Sequence, residues 1–143
     1  MKEFISWEQY QHAIDKMVWY YKKSTRIPEC GAVYGLPRGG LPIAVSLSHK
    51  LGLPLLMNYY DRKIVTEKNI LVVDDIADTG NTLKDFDNEH NILFTIHYHS
   101  QSVTKPDFWM WDKKDKWIVY PWETEDSETI QDYLVEKEEK NNA

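Results

Sequence analysis

Residues 70–82 constrain this chain more than any other stretch. Ile70-Leu71-Val72-Val73 is uncharged and rich in β-branching, the pattern of a strand buried on both faces. It ends in the acids Asp74-Asp75, after which Asp78-Thr79-Gly80-Asn81-Thr82-Leu83 turns into a short helix. A strand of this kind needs a sheet around it, and the rest of the chain supplies one. Gly31–Leu36, Pro54–Met57, Ile92–Tyr98, Phe108–Trp111 and Trp117–Tyr120 read as further strands, with Asn58–Asn69 as a polar loop or irregular hairpin. Ser6 and Gln9 form a capping box ahead of an apolar stripe of Trp7, Tyr10, Ile14, Met17, Val18 and Tyr21. A second helix over Leu41–Leu51 stops at Gly52. Strands alternating with helices predict an α/β fold: a central, mostly parallel sheet flanked by helices on both faces. Ligands then bind beyond the carboxyl ends of the strands. Two loops follow strands directly and fall on that edge, Pro37–Gly40 and Asp74–Thr82.

The chemistry of the second loop is specific. Neighbouring side chains at a strand end point in different directions, so Asp74 and Asp75 need not crowd one spot. They can accept hydrogen bonds from a diol, and one of them can help hold a hard cation. From Ala77 through Asp78, Thr79, Gly80 and Asn81 to Thr82 the backbone N–H groups converge, the threonine hydroxyls add donors, and Gly80 lets the chain pass close to a ligand. A diol acceptor beside a phosphate cradle suits a ribose 5-phosphate. A helix cap would explain one Asp and one Thr of this segment, but not three carboxylates around one turn.

The segment resembles the phosphoribosyl-pyrophosphate motif of type I phosphoribosyltransferases. Tyr34-Gly35-Leu36-Pro37-Arg38-Gly39-Gly40 resembles the pyrophosphate loop of that family, and Lys116-Trp117-Ile118-Val119-Tyr120-Pro121-Trp122-Glu123 resembles the base-binding segment of its short xanthine-guanine and hypoxanthine members. The resemblance spans roughly residues 31–123. It implies the family fold, with a small hood built from the N-terminal and C-terminal segments. It implies transfer of ribose 5-phosphate from 5-phosphoribosyl 1-pyrophosphate to a purine base, with a 6-oxopurine expected, in purine salvage. Mg2+ is the implied cofactor, and a homodimer or homotetramer the implied assembly. Carried over residue by residue, Asp78 is the catalytic base, and Asp74 and Asp75 bind the ribose and metal. Residues 77–82 bind the 5-phosphate. Arg38, Gly39 and Gly40 bind pyrophosphate, with a non-proline cis peptide expected between Pro37 and Arg38; Arg62, outside the matched motif, is expected to serve the pyrophosphate by its charge. Trp117 stacks on the base and Ile118 binds its edge; His99, though no match to the family pattern, can donate an N–H to a base carbonyl.

The chain departs from the family pattern in three places. His99 stands where the xanthine-guanine enzymes carry a lysine for the purine 6-oxo group. The stretch from Met57 to Ile70, where the family has a long mobile loop, is short, with Arg62, Lys63 and Lys68 as its cations. Asn81 replaces a common Lys, Gly or Ser. His97 and His99 have the spacing of a metal pair, but no third ligand is evident. A regulatory protein of the same fold, binding the phosphoribosyl ligand without transfer, is the alternative reading.

Composition limits the other classes. A net charge of −6 over 143 residues argues against a broad nucleic-acid surface. The single cysteine, Cys30, allows no internal disulfide. No run approaches the roughly 18 apolar residues of a membrane span, and MKEFISWEQ does not read as a signal peptide. A cytoplasmic protein of one domain over residues 1–143 is expected. Residues 124–143 form an acidic, then polar tail, in which Ile130, Tyr133 and Leu134 could dock one helical turn.

Overall fold

The structure is a computed structural model and describes residues 1–127. In chain order it comprises β1 (Lys2–Phe4), α1 (Trp7–Lys23), β2 (Cys30–Gly35), α2 (Gly40–Leu51), β3 (Leu55–Leu56), α3 (Arg62–Val65), β4 (Asn69–Ala77), α4 (Asn81–Lys84), β5 (Asn91–Tyr98), β6 (Phe108–Asp112) and β7 (Trp117–Val119). The main sheet runs β3-β2-β4-β5-β6, every neighbouring pair parallel. The expected tail contacts of Ile130, Tyr133 and Leu134 lie outside the described residues.

Alternation along the central strands divides the core in two. Val33, Leu71, Val73, Phe94 and Ile96 face one side, where α1 brings Tyr10, Ala13, Ile14 and Met17 and α2 brings Ile43, Ala44 and Leu47. Ala32, Ile70, Val72 and Leu93 face the other, under Leu36, Leu56 and Leu83. The capping box is present, with Ser6 Oγ accepting from the Gln9 amide at 3.0 Å and Gln9 Oε1 from the Ser6 amide at 2.8 Å. Gly52 ends α2 at φ 67°, a conformation open to glycine without a Cβ penalty.

Helices flank the sheet as expected, the long α1 and α2 on one face and, on the other, the short α4, whose Leu83 packs in a cluster with Tyr34, Tyr59 and Phe86. Three expectations need correction. Asn58–Asn69 holds a 3-10 turn, Tyr59–Asp61, running into α3, and the Asn58 side chain caps it by accepting from the Tyr60 amide at 3.0 Å. The central strand does not end at Asp74. It continues to Ala77, because β5 is long enough to pair with it: Asp74 opposes Thr95, and Ala77 opposes Tyr98. Trp7, in the first turn of α1, stays 59% exposed, its ring set edge-on against Tyr10 at 5.6 Å.

The hood is a separate two-stranded parallel sheet. β1 pairs with β7, Lys2 opposite Trp117 and Phe4 opposite Val119. The Ile5 amide extends the ladder to the Val119 carbonyl at 2.9 Å, and Lys2 Nζ reaches the Glu125 carbonyl at 3.1 Å. The two ends of the described chain are thereby tied across the carboxyl edge of the main sheet.

Candidate active site

The two loops and the hood enclose one cavity of about 590 Å3. Arg38 and Gly39 line it from the loop after β2. Asp74, Asp75, Asp78, Thr79, Gly80 and Thr82 line it from the end of β4 and the turn beyond, and Trp117, Ile118, Tyr120, Trp122 and Glu123 from the hood. The Pro37–Arg38 peptide is cis, as the resemblance implied.

Close packing of the first loop explains its glycines. A Cβ on Gly35 or Gly40 would strike backbone, the Gly40 carbonyl in the first case and the Val73 carbonyl in the second, and one on Gly39 would overlap the Asp75 carboxylate. The loop is therefore pressed against the strand end that carries the acids. The Gly40 amide donates to the Leu36 carbonyl at 2.8 Å and so closes the turn.

The second turn is buttressed from behind. Gly80 has φ 80°, and the connection 99–107 lies against it. Thr104, buried, donates its hydroxyl to the Gly80 carbonyl at 3.0 Å, and the Val103 amide donates to the Thr79 carbonyl at 2.8 Å. These bonds hold the Thr79 and Gly80 carbonyls at the back of the turn. Because α4 is a single turn, the donors here are individual amides and hydroxyls, with no long helix dipole behind them.

Electrostatically the cavity is acidic at its floor. Asp75 is pushed up to about 6, first by burial and further by the charge of Glu123, against hydrogen bonds that favour its carboxylate. Tyr120 is held well above its usual range, by burial first and then by the surrounding carboxylates. Its hydroxyl reaches the Asp75 carbonyl at 3.1 Å and His97 Nδ1 at 2.8 Å. His97 is buried and depressed to about 4, by desolvation first and then by Lys113. Asp78 Oδ2 accepts from Lys113 Nζ at 3.0 Å, while its buried Oδ1 has no hydrogen-bond partner. Asp75, with Asp74 beside it, supplies hard carboxylate oxygens of the kind Mg2+ takes, but no cluster of three or more His, Cys, Asp or Glu side chains among the described residues is assembled to hold a metal by itself.

Not every expected residue lines this cavity. Ala77 is buried beneath the turn, and Asn81 is exposed, its amide donating to Thr79 Oγ1 at 3.3 Å. Gly40 sits behind Gly39, against β4. Arg62 lies outside the lining, with its guanidinium over the Tyr59 ring at 4.7 Å. His99 also lies outside it, with Nδ1 accepting from the Gln101 amide at 3.1 Å. His97 points instead to Tyr120, so the two histidines have separate partners. Sequence reasoning missed Lys113, Thr104 and Glu123. Lys113 stands in the run Asp112-Lys113-Lys114-Asp115-Lys116, which carries no mark distinguishing it from a solvated turn.

No protein-family model matches the sequence, and no curated protein does. Solved structures do. A purine phosphoribosyltransferase from Pyrococcus horikoshii is 27% identical, with TM-score 0.69, over 89% of this chain and 97% of that one. A xanthine-guanine-hypoxanthine phosphoribosyltransferase from Helicobacter pylori is 20% identical, with TM-score 0.67, over 95% of this chain and 99% of that one. An adenine phosphoribosyltransferase from Leishmania tarentolae is more distant, at 14% identity and TM-score 0.54 over 76% of this chain and 72% of that one. Likeness at near full length, with both ligand loops on the same sheet edge, shows that this chain has the type I phosphoribosyltransferase fold and is similar to purine phosphoribosyltransferases.

Proposed function

We propose that the chain transfers ribose 5-phosphate from 5-phosphoribosyl 1-pyrophosphate to a 6-oxopurine, releasing pyrophosphate. The observation that carries this reading is the meeting, in one cavity, of the Arg38–Gly39 loop, the Asp74–Asp75 strand end and the 78–82 turn with an aromatic wall. That order of groups suits a ligand with pyrophosphate at one end, a ribose diol in the middle and a 5-phosphate at the other. The 55% exposed Trp117 offers a face on which a planar base can stack. Its neighbour Ile118 offers backbone groups to the base edge.

In the transfer, the bond from ribose C1 to the pyrophosphate oxygen breaks, its electron pair leaving with pyrophosphate. A purine ring nitrogen forms the new bond to C1 with its lone pair, and the proton shed by the other imidazole nitrogen passes to Asp78. Arg38 and the Gly39 amide stabilise charge growing on the leaving group. Asp74 and Asp75 orient the ribose hydroxyls. Mg2+, when bound, would be held by Asp75 with Asp74 and would neutralise pyrophosphate charge. The hood limits water, which competes as nucleophile.

A panel of hypoxanthine, guanine, xanthine and adenine, each incubated with phosphoribosyl pyrophosphate and Mg2+, tests the reading. Hypoxanthine and guanine are expected to react fastest and adenine slowest. Phosphoribosyl-pyrophosphate binding without turnover on any base would favour a regulatory protein.

A further inference from the structure

Strand β4 outruns its neighbour on one side. Its last pairing with β2 sets Gly35 opposite Val73, and the Val73 carbonyl accepts from the Leu36 amide at 3.0 Å. Carbonyls two residues apart along a strand point the same way, so the Asp75 carbonyl faces the side where β2 has ended. A main-chain acceptor in that place has to find its donor elsewhere. The hood supplies it: the Tyr120 hydroxyl donates to the Asp75 carbonyl at 3.1 Å. Tyr120 thereby replaces the absent strand partner and joins the hood to the strand that carries the acids.

The hydroxyl is itself held. Its one proton is committed to a carbonyl that can only accept, so His97 must present Nδ1–H to it across 2.8 Å. His97 stands opposite Ile76 in the β4–β5 ladder, one residue from the tethered carbonyl. The Tyr120 ring stacks on Trp122 at 5.0 Å with an interplanar angle of 3°, and Trp122 meets Tyr10 of α1 edge-on at 5.4 Å. The turn after Tyr120 closes on itself, the Tyr120 amide donating to Glu123 Oε1 at 2.8 Å and the Glu123 amide to the Tyr120 carbonyl at 2.9 Å. A phenylalanine would fill this buried place and stack equally well, without a polar group to satisfy. What the hydroxyl adds is a fixed aim. Building on the transferase reading, we infer that Tyr120 is a positioning residue: its hydroxyl, oriented by His97, fixes the base wall of Trp117 and Ile118 relative to the Asp75 strand end, and so sets the base at reacting distance from ribose C1.

The test compares wild type with Tyr120→Phe, His97→Phe and His97→Asn in the full chain. The readouts are kcat with hypoxanthine, the melting temperature, and calorimetric affinity for two ligands with Mg2+ present. Phosphoribosyl pyrophosphate reaches the two loops but not the base wall, whereas inosine 5′-monophosphate spans from the 78–82 turn to that wall. Misplacing reacting groups by about 1 Å costs on the order of 10²-fold, so Tyr120→Phe should lower kcat by about 10–100-fold. Its affinity for inosine monophosphate should fall at least about fivefold, while that for phosphoribosyl pyrophosphate stays within about twofold. His97→Phe should repeat the loss. His97→Asn keeps an amide N–H near the Nδ1 position and should recover most of the turnover, although the smaller side chain leaves empty space and should not raise the melting temperature above that of His97→Phe. An unchanged kcat in Tyr120→Phe, equal loss of affinity for both ligands, or turnover in the His97 variants that follows their melting temperatures would overturn the inference. If Tyr120→Phe does not fold, the His97 pair decides alone. A wild type inactive on every purine would overturn the transferase reading, while the two affinities still read Tyr120.

Discussion

Gly39 lies directly against the carboxylate of Asp75, with no space for a methyl group between them. The contact links the two ligand loops, since one residue belongs to the turn after β2 and the other to the end of β4. Gly39→Ala would meet the end of a side chain that can swing away, so the protein should fold with little loss of stability. The displaced carboxylate should weaken Mg2+-dependent binding of phosphoribosyl pyrophosphate at least about tenfold. Gly40→Ala should behave oppositely. Its Cβ would strike the Val73 carbonyl, which cannot move without the strand, and about 1–3 kcal/mol of stability should be lost. Thermal melts and calorimetry on both variants check the pair. Wild-type affinity in Gly39→Ala would break the proposed link between the loops.

Asp75 should trade stability for function. Burial holds its carboxyl up at about 6, so at pH 7.5 the ligand-free protein carries a charge that its surroundings disfavour. Asp75→Asn should raise ligand-free stability by roughly 1 kcal/mol at that pH while removing the Mg2+-dependent part of ligand binding. A variant less stable than wild type would mean that the carboxylate is already compensated within the protein.

His97 gives the fold an acid-sensitive element. Its folded value of about 4 lies below the ordinary 6.5, so the unfolded chain takes up the proton more readily between those values. The stability it contributes is complete above pH 6.5 and is lost as pH falls toward 4. By pH 5 the loss from this group should be about 2 kcal/mol. Urea melts of wild type and His97→Phe at pH 7.5 and pH 5 isolate it, because Asp75 is present in both proteins and cancels in the difference. An equal pH response in the two would remove His97 from the account.

The parts of the site legible in the sequence were those written as contiguous runs. Strand 70–73, the Asp-Thr-Gly turn, the Arg-Gly-Gly loop and the Ser6–Gln9 capping box all carry local signals, and the structure has a strand through 70–73, the capping box, and residues of both loops on the cavity wall. What stayed hidden depends on partners distant in sequence. Strand β4 runs through Asp74 and Asp75 because β5 pairs with it that far, which no propensity at positions 74–77 reveals. Thr104 matters because the connection 99–107 folds back onto Gly80. Lys113 enters the cavity because β6 ends beside Tyr98, whereas His99, one residue past the end of β5, turns away. Arg62 was read for its charge alone, but the 3-10 turn places it over Tyr59.

The most direct test of the central claim is pyrophosphate release, followed continuously with phosphoribosyl pyrophosphate, Mg2+ and hypoxanthine. Release should require all three, and Asp78→Asn should slow it by about 10²–10⁴-fold with ligand affinity nearly intact. A chain that binds phosphoribosyl pyrophosphate but releases no pyrophosphate on adding any purine, or an Asp78→Asn variant as fast as wild type, would contradict the account.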